Sequence, residues 1–185
     1  MIKSYLITDP LFYTSKTQVF LQKLLHVKHK HQPHYICLRD KQNVEYTALA
    51  KAVVEAGIQD THTKLYLHTD FMLAYELGCD GVHLPSSALN MIEKAKALGL
   101  EVIVSTHTLE EINEAEKKGA DAITFSPIFE TPNKGKPLGL EKLKEINDKI
   151  GVKCFALGGI INEEHVKACE SVGVYGFASI RFFID

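Results

Sequence analysis

Short apolar runs alternate with longer amphipathic segments from one end of the chain to the other, and the two kinds of segment differ in period. Ser4 to Thr8, His34 to Leu38, Lys64 to His68, Gly81 to Leu84, Val102 to Val104, Ala122 to Phe125, Lys153 to Leu157 and Tyr175 to Ile180 read as strands. Between them, Thr17 to Lys28, Val44 to Ala56, Phe71 to Leu77, Ser87 to Leu98, Leu109 to Lys118, Leu140 to Lys149 and Glu163 to Ser171 carry apolar residues at helical spacing. Gly57, Gly119, Gly151 and Gly173 follow four of these segments, as expected where a helix ends. Strands recur about every 24 residues, the spacing of a compact βα unit. Connections of that length require parallel pairing, so the pattern predicts an α/β fold, a closed (β/α)8 TIM barrel rather than an open sheet.

A chain of 185 residues suits one domain, 1–185, with a sizeable core. It stops at Asp185, directly after the eighth strand, so the last outer helix is expected to be missing. Phe182, Phe183 and Ile184 would then lie on an apolar groove, and a homodimer burying that edge is the expected assembly. The alternative is that Phe182 and Phe183 fold back and seal the barrel within one chain.

Composition narrows the function classes. A net charge of −2 with 24% charged residues offers no basic field for nucleic acid. No apolar run approaches the roughly 20 residues that span a bilayer, and the start M-I-K-S-Y-L-I-T-D lacks a long apolar leader, so no membrane partner and a cytoplasmic location are expected. Cys37, Cys79, Cys154 and Cys169 show no C-x-x-C spacing and read as reduced, buried thiols. Four of the nine histidines crowd into His26 to His34. Lysines between them would repel a cation, so this reads as a solvated helix end rather than a metal site.

Candidate chemistry sits just after strands, where a parallel α/β protein binds its ligands. Arg39 and Lys41, two apart at an extended strand end, share a face and can converge on one anion, unless they are ordinary solvated residues. Asp70 is either a polar-contact or metal carboxylate or the N-cap of the helical run behind it. Ser105 and His107 lie in the polar cluster after the fifth strand, and His107 is placed to exchange a proton with a ligand or to hydrogen-bond into the next helix. Thr131 and Lys134 occupy a Pro-punctuated loop after the sixth strand, where Lys134 is either a cover for a bound anion or a surface lysine. Gly158 and Gly159 after the seventh strand would let backbone N–H groups approach a phosphate.

The strings Y-L-I-T-D, L-R-D-K, C-D-G-V-H-L, V-S-T-H-T-L-E-E, F-S-P-I-F-E-T-P-N-K, P-L-G-L-E and A-L-G-G-I, in this order, resemble the thiamine phosphate synthase and TenI (thiazole tautomerase) superfamily over essentially the whole chain. The resemblance implies a (β/α)8 barrel of thiamine biosynthesis that takes a thiazole phosphate and, in the synthases, a pyrimidine pyrophosphate with Mg²⁺. Arg39 and Lys41 match the synthase pyrophosphate clamp, but Cys37 stands where that motif has Gln. Thr69 and Asp70 stand for an Asn-Asp pair, and Ala88 falls where a second metal carboxylate is expected. Ser105, His107, Thr131 and Lys134 match, with Asn133 for a second Thr. Ile180 and Arg181 follow Ser179 where the family has a phosphate-binding turn, and the Arg181 guanidinium would bind the phosphate or block it.

With one of two carboxylates missing and V-H-L-P-S-S similar to the TenI branch, the favoured reading is a tautomerase, an isomerase of a thiazole phosphate that needs no cofactor and uses His107 as proton shuttle. Gly158, Gly159, Ile180 and Arg181 would hold the phosphate. The alternatives are a Mg²⁺-dependent synthase engaging Arg39, Lys41, Asp70 and Lys134, and a phosphate-ligand binder without turnover.

Overall fold

The computed structural model describes residues 2–184. Among them the eight expected strands form: β1 (Lys3–Ile7), β2 (Tyr35–Leu38), β3 (Lys64–His68), β4 (Gly81–Leu84), β5 (Glu101–Thr106), β6 (Ala122–Phe125), β7 (Lys153–Leu157) and β8 (Gly176–Ser179). Each pairs in parallel with the next, and β8 pairs with β1, closing a barrel in sequence order. The crossovers are α1 (Pro10–Tyr13), α2 (Thr17–His31), α3 (Tyr46–Glu55), α4 (Phe71–Glu76), α5 (Ile92–Ala97), α6 (Leu109–Lys117), α7 (Gly139–Asn147) and α8 (Glu163–Ser171). The chain is a (β/α)8 barrel.

Strand alternation sorts the apolar residues into two cores. Leu6, Ile36, Leu38, Leu65, Leu67, Val82 and Val104 point outward and are covered by the helices. Tyr5, Ile7, Tyr35, Cys37, Tyr66, Ile103, Ala122, Phe155 and Ala178 point inward and fill the bore. The rings interlock: Tyr5 lies 5.3 Å from Phe155, 5.8 Å from Tyr35 and 6.0 Å from Tyr66, all in tilted or edge-on geometry. At the N-terminal end of the barrel Tyr35 and Tyr175 share a hydrogen bond of 2.7 Å, and Glu101 takes Lys64 and the Tyr66 hydroxyl.

Local departures from the pattern have local causes. The four-residue α1 is too short for periodicity to announce, but Asp9 caps it by accepting from Leu11 N–H, with Pro10 at its first position. Helix α2 runs on to His31 and stops where Gln32 turns left-handed. The expected helix from Ser87 is a 3₁₀ segment, Ser86–Met91, followed by α5, with non-helical backbone at Ala88. All four cysteines are free and buried. No group of three or more His, Cys, Asp or Glu side chains suited to a metal exists among the described residues. No helix among them is long and apolar enough to cross a membrane.

After β8 only a 3₁₀ turn, Arg181–Phe183, follows in the described chain. The bare edge expected there is largely covered from within. Phe183 is 1% exposed, stacks on Phe177 at 6.0 Å and meets His31 of α2 edge-on at 5.6 Å. Phe182 stays half-buried against Phe177. The exposed-phenylalanine argument for a homodimer therefore does not hold for Phe183, because the chain's own helix shields it.

Two glycines make the aromatic filling possible. A Cβ on Gly176 would come within 2.6 Å of the Phe155 ring and 2.5 Å of the Lys3 carbonyl, and one on Gly81 within 2.6 Å of the Tyr66 ring. Gly176→Ala should destabilise the barrel by about 1–3 kcal/mol, the usual cost of overpacking a rigid core. Urea unfolding would measure it, and an unchanged midpoint would mean that the rings have room to move aside.

Candidate functional site

The C-terminal rim gathers most of the predicted residues. Beyond β2, the Arg39 backbone N–H donates to Thr8 Oγ1 at 2.8 Å, and its guanidinium pairs with Asp9 Oδ2 at 2.9 Å, which ties the β1 and β2 loops together. Asp40 is buried and accepts from Ser15 Oγ at 2.6 Å. Lys41 is exposed beside a cavity of about 220 Å³ lined by Asp40, Lys41, Asn43, Tyr46, His68 and Asp70. Its pKa is lowered, first by partial desolvation and then by the positive charges of Arg39 and Lys134. Charges from two different loops thus act on Lys41 at the mouth.

On the wall of the cavity, Asp70 does what a helix cap does, its Oδ1 accepting from Leu73 N–H at 2.9 Å, while still facing the cavity. Both sequence readings of this residue are therefore compatible. His68 pairs with Thr69 Oγ1 at 2.8 Å, and its pKa falls to about 4 through burial and then the charges of Lys41 and Arg39. Thr69 reaches its hydroxyl contact from a left-handed backbone, φ 71°. Tyr46 donates to the Leu38 carbonyl at 2.7 Å and accepts from His68 N–H, holding the ends of β2 and β3 in register.

The other half of the rim is built from the β5 to β8 loops. His107 lies just before the α6 cap, where Thr108 and Glu111 form a capping box, and its Nδ1 pairs with the Ser126 carbonyl at 2.9 Å. Thr131 donates to the Phe129 carbonyl, and exposed Lys134 follows through a left-handed Asn133. Gly158 and Gly159 have φ of 98° and 71°, and a Cβ on either would meet the β6 loop, at Pro127 Cα (2.8 Å) and the Glu130 carbonyl (2.5 Å). These glycines are required by loop packing, whatever else their N–H groups do. Ser179 Oγ donates to the Ile160 carbonyl at 2.7 Å and accepts from Phe182 N–H at 3.1 Å, so the turn through Ile180 and Arg181 is fastened to the β7 loop. Lys41 and Asp70 line one cavity, with the charges of Arg39 and Lys134 acting on Lys41, and the Ser179 bond to the Ile160 carbonyl ties the turn through Ile180 and Arg181 to the loop that carries Gly158 and Gly159.

Below the mouth the barrel carries polar groups that the strand-end reading missed. His83 of β4 is 2% exposed, with Nδ1 2.7 Å from Tyr5 Oη across the bore and Nε2 2.8 Å from Ser105 Oγ. Its pKa is pushed down to about 3, chiefly by burial and then by His68, Arg39 and Lys41. Alternation along V-H-L, with Val82 and Leu84 facing the helices, was the available signal that His83 faces inward. Cys37, where the resembling motif has Gln, packs beneath, its thiol pushed up to about 12 by burial. It is a core group, not a nucleophile.

The comparisons with known proteins agree on a family. Residues 4–183 match the model of TMP-TENI, thiamine monophosphate synthase. A putative thiamine-phosphate synthase 2 of Aquifex aeolicus is 36% identical over 98% of this chain and 97% of its own length. The thiamine-phosphate synthase of Clostridium novyi is 31% identical over 96% of this chain and 88% of its own. The solved thiamine phosphate pyrophosphorylase of Pyrococcus furiosus superposes with a TM-score of 0.81 at 27% identity, over 97% of this chain and 85% of that one.

These relatives overturn the tautomerase expectation. The two sequence relatives are named as synthases, which are transferases, so the isomerase reading falls, and with it the expectation that no cofactor is needed and the reason for making His107 its proton shuttle. The expectation gave too much weight to Ala88. A single carboxylate with phosphate oxygens is an ordinary Mg²⁺ ligand set, so one missing Asp does not exclude the metal.

Buried, neutral His83 makes stability depend on pH. Its folded pKa near 3 lies below the ordinary 6.5, so the unfolded chain alone takes up this proton as the pH falls between those values. Stability present above pH 6.5 is lost on acidification, by up to about 1.4 kcal/mol per pH unit from this residue. Urea midpoints measured from pH 7 to 5 should fall accordingly, with a shallower slope in His83→Gln. Equal slopes would assign the proton uptake elsewhere.

Proposed function

The chain belongs to the thiamine monophosphate synthase family, and from that premise we propose that it is a transferase joining a pyrimidine pyrophosphate to a thiazole phosphate with release of pyrophosphate. The observation that carries this reading is the rim cavity of about 220 Å³ lined by Lys41 and Asp70, with Arg39 fixed beside it by Asp9 and the charges of Arg39 and Lys134 adding to desolvation in lowering the pKa of Lys41. An anion of high charge offsets those charges, and a pyrophosphate ester is such an anion. When its bond to the pyrimidine carbon breaks, the electron pair goes to the leaving pyrophosphate and a bond to the thiazole forms. The three cations stabilise the charge where it develops, which is the effect that lowers a barrier.

Mg²⁺ fits the donor set in one way. Asp70 offers a carboxylate at the cavity, one of its oxygens already engaged by Leu73 N–H, and Ala88 adds none. The metal would therefore be held by Asp70 together with phosphate oxygens and water, supplying further charge neutralisation to the leaving group. Arg39, fixed by Asp9, orients the pyrophosphate. Gly158, Gly159 and the Ile180–Arg181 turn are the proposed seat of the thiazole phosphate, so that the two ligands meet over Ser105.

Pure protein given both substrates and Mg²⁺ should release pyrophosphate, and a chelator should stop it. Lys41→Ala should lower kcat/KM by about 10- to 100-fold, the scale of a lost hydrogen bond to a charged group. Absence of release with both substrates at millimolar concentration would refute the transferase reading. Ala88→Asp should tighten Mg²⁺ binding to the ligand-free protein in calorimetry, and no change would show that residue 88 does not face the metal.

A further inference from the structure

Beneath the mouth a line of hydrogen-bonding groups crosses the barrel with no link to solvent except at its upper end. Tyr5 Oη is 2.7 Å from His83 Nδ1 and His83 Nε2 is 2.8 Å from Ser105 Oγ, with the Cys37 thiol packed in the same bore. Cys37, Tyr5 and His83 are buried, whereas Ser105 is half-buried one layer above Ile103, the residue level with His83. Ser105 is therefore where the line meets whatever occupies the mouth.

A neutral imidazole has one donor and one acceptor nitrogen, so the line can run in only two directions. In one, Tyr5 O–H donates to Nδ1, Nε2–H donates to Ser105 Oγ, and the serine proton is left to point at the ligand. In the other, Nδ1–H donates to Tyr5, Tyr5 must give its proton to the Cys37 sulfur, and Ser105 spends its proton on Nε2. A phenol donating to an imidazole nitrogen makes a strong bond, whereas a thiol sulfur is a weak acceptor. Burial raises the Tyr5 pKa well above its ordinary 10.0 and lowers that of His83, so both groups stay neutral, and the stronger acceptor nitrogen fixes the first direction.

We propose that His83 is a positioning residue, held by Tyr5 in its Nε2–H tautomer so that Ser105 presents a hydrogen-bond donor to an acceptor atom of the bound ligand. Identifying that atom with a ring nitrogen of the pyrimidine rests on the synthase reading; the polarity of Ser105 does not. The arrangement selects against a ligand that offers only a donor at this point, since two donors facing each other in a closed site leave both unpaired.

Two measurements test this separately from the overall function. Nitrogen-15 NMR of histidine-labelled, ligand-free protein reads the tautomer directly. His83 should carry its proton on Nε2 with Nδ1 bare, and a proton on Nδ1 would overturn the proposal. Calorimetry with the pyrimidine pyrophosphate alone, where no turnover occurs, should show weakening of about tenfold or more in His83→Leu, with part of the affinity restored in His83→Gln, whose amide can donate near the Nε2 position. In a Ser105→Ala background His83→Leu should cost nothing further, because its effect acts through that hydroxyl. Equal, additive losses in both backgrounds would mean that His83 acts on the packing alone, and the proposal would fail. If His83→Leu does not fold, Tyr5→Phe takes its place, with a mixed tautomer and weaker binding expected. Wild-type protein that does not bind the pyrimidine pyrophosphate would refute the synthase reading, while the NMR result would still decide the direction of the line.

Discussion

Four rings, those of Tyr5, Tyr35, Tyr66 and Phe155, fill the bore of this barrel, and they fit because residues 81 and 176 have no side chain. A closed eight-strand sheet has an interior that side chains must occupy at crystal-like density. Here one aromatic ring fills the space that several aliphatic side chains would otherwise share. The neighbouring strand must then be glycine at the level of contact, as at Gly176 beside Phe155. This filling supports the site in two ways. It makes a rigid floor below the mouth, and it carries Tyr5 far enough across the bore to hold His83.

Above that floor the rim is electrostatically unfinished. Asp9 balances Arg39, and Ser15 and the protein interior hold Asp40, but Lys41 and Lys134 add charge to the same region. Burial first, and the neighbouring cations after it, depress the basicity of Lys41 and of neighbouring His68. The loops that supply these charges are unequal in rigidity. Arg39 is fastened to Thr8 and Asp9 beyond β1, while Lys134 stands on an exposed loop.

The function was harder to read than the fold, for a reason that lies in ligand chemistry. Ala88 in place of a second carboxylate tilts the sequence reading away from a synthase because metal sites are usually recognised by counting protein ligands. A metal that arrives with a pyrophosphate brings most of its oxygens with it, so the count underdetermines the site. His107 misled similarly. A histidine among hydroxyls after a strand resembles a proton shuttle, and its Nδ1 contact with the Ser126 carbonyl orients the ring without deciding that role, which went only with the isomerase reading.

By itself the sequence determined the strand and helix order and the closed parallel barrel, because period and connection length are local properties that leave few topologies open. It also determined which residues stand at strand ends, and so Arg39, Lys41, Asp70, Ser105 and Lys134 were legible as members of one rim. Only the tertiary structure decided which of them act on each other, because Lys134 and Lys41 lie on separate loops and their repulsion depends on distance through space. It alone decided that Phe183 is shielded by His31, from the other end of the chain. Above all it decided the Tyr5–His83–Ser105 line. That line joins β1, β4 and β5 across a bore whose width and stagger are set by closure, and no one-dimensional pattern holds that information.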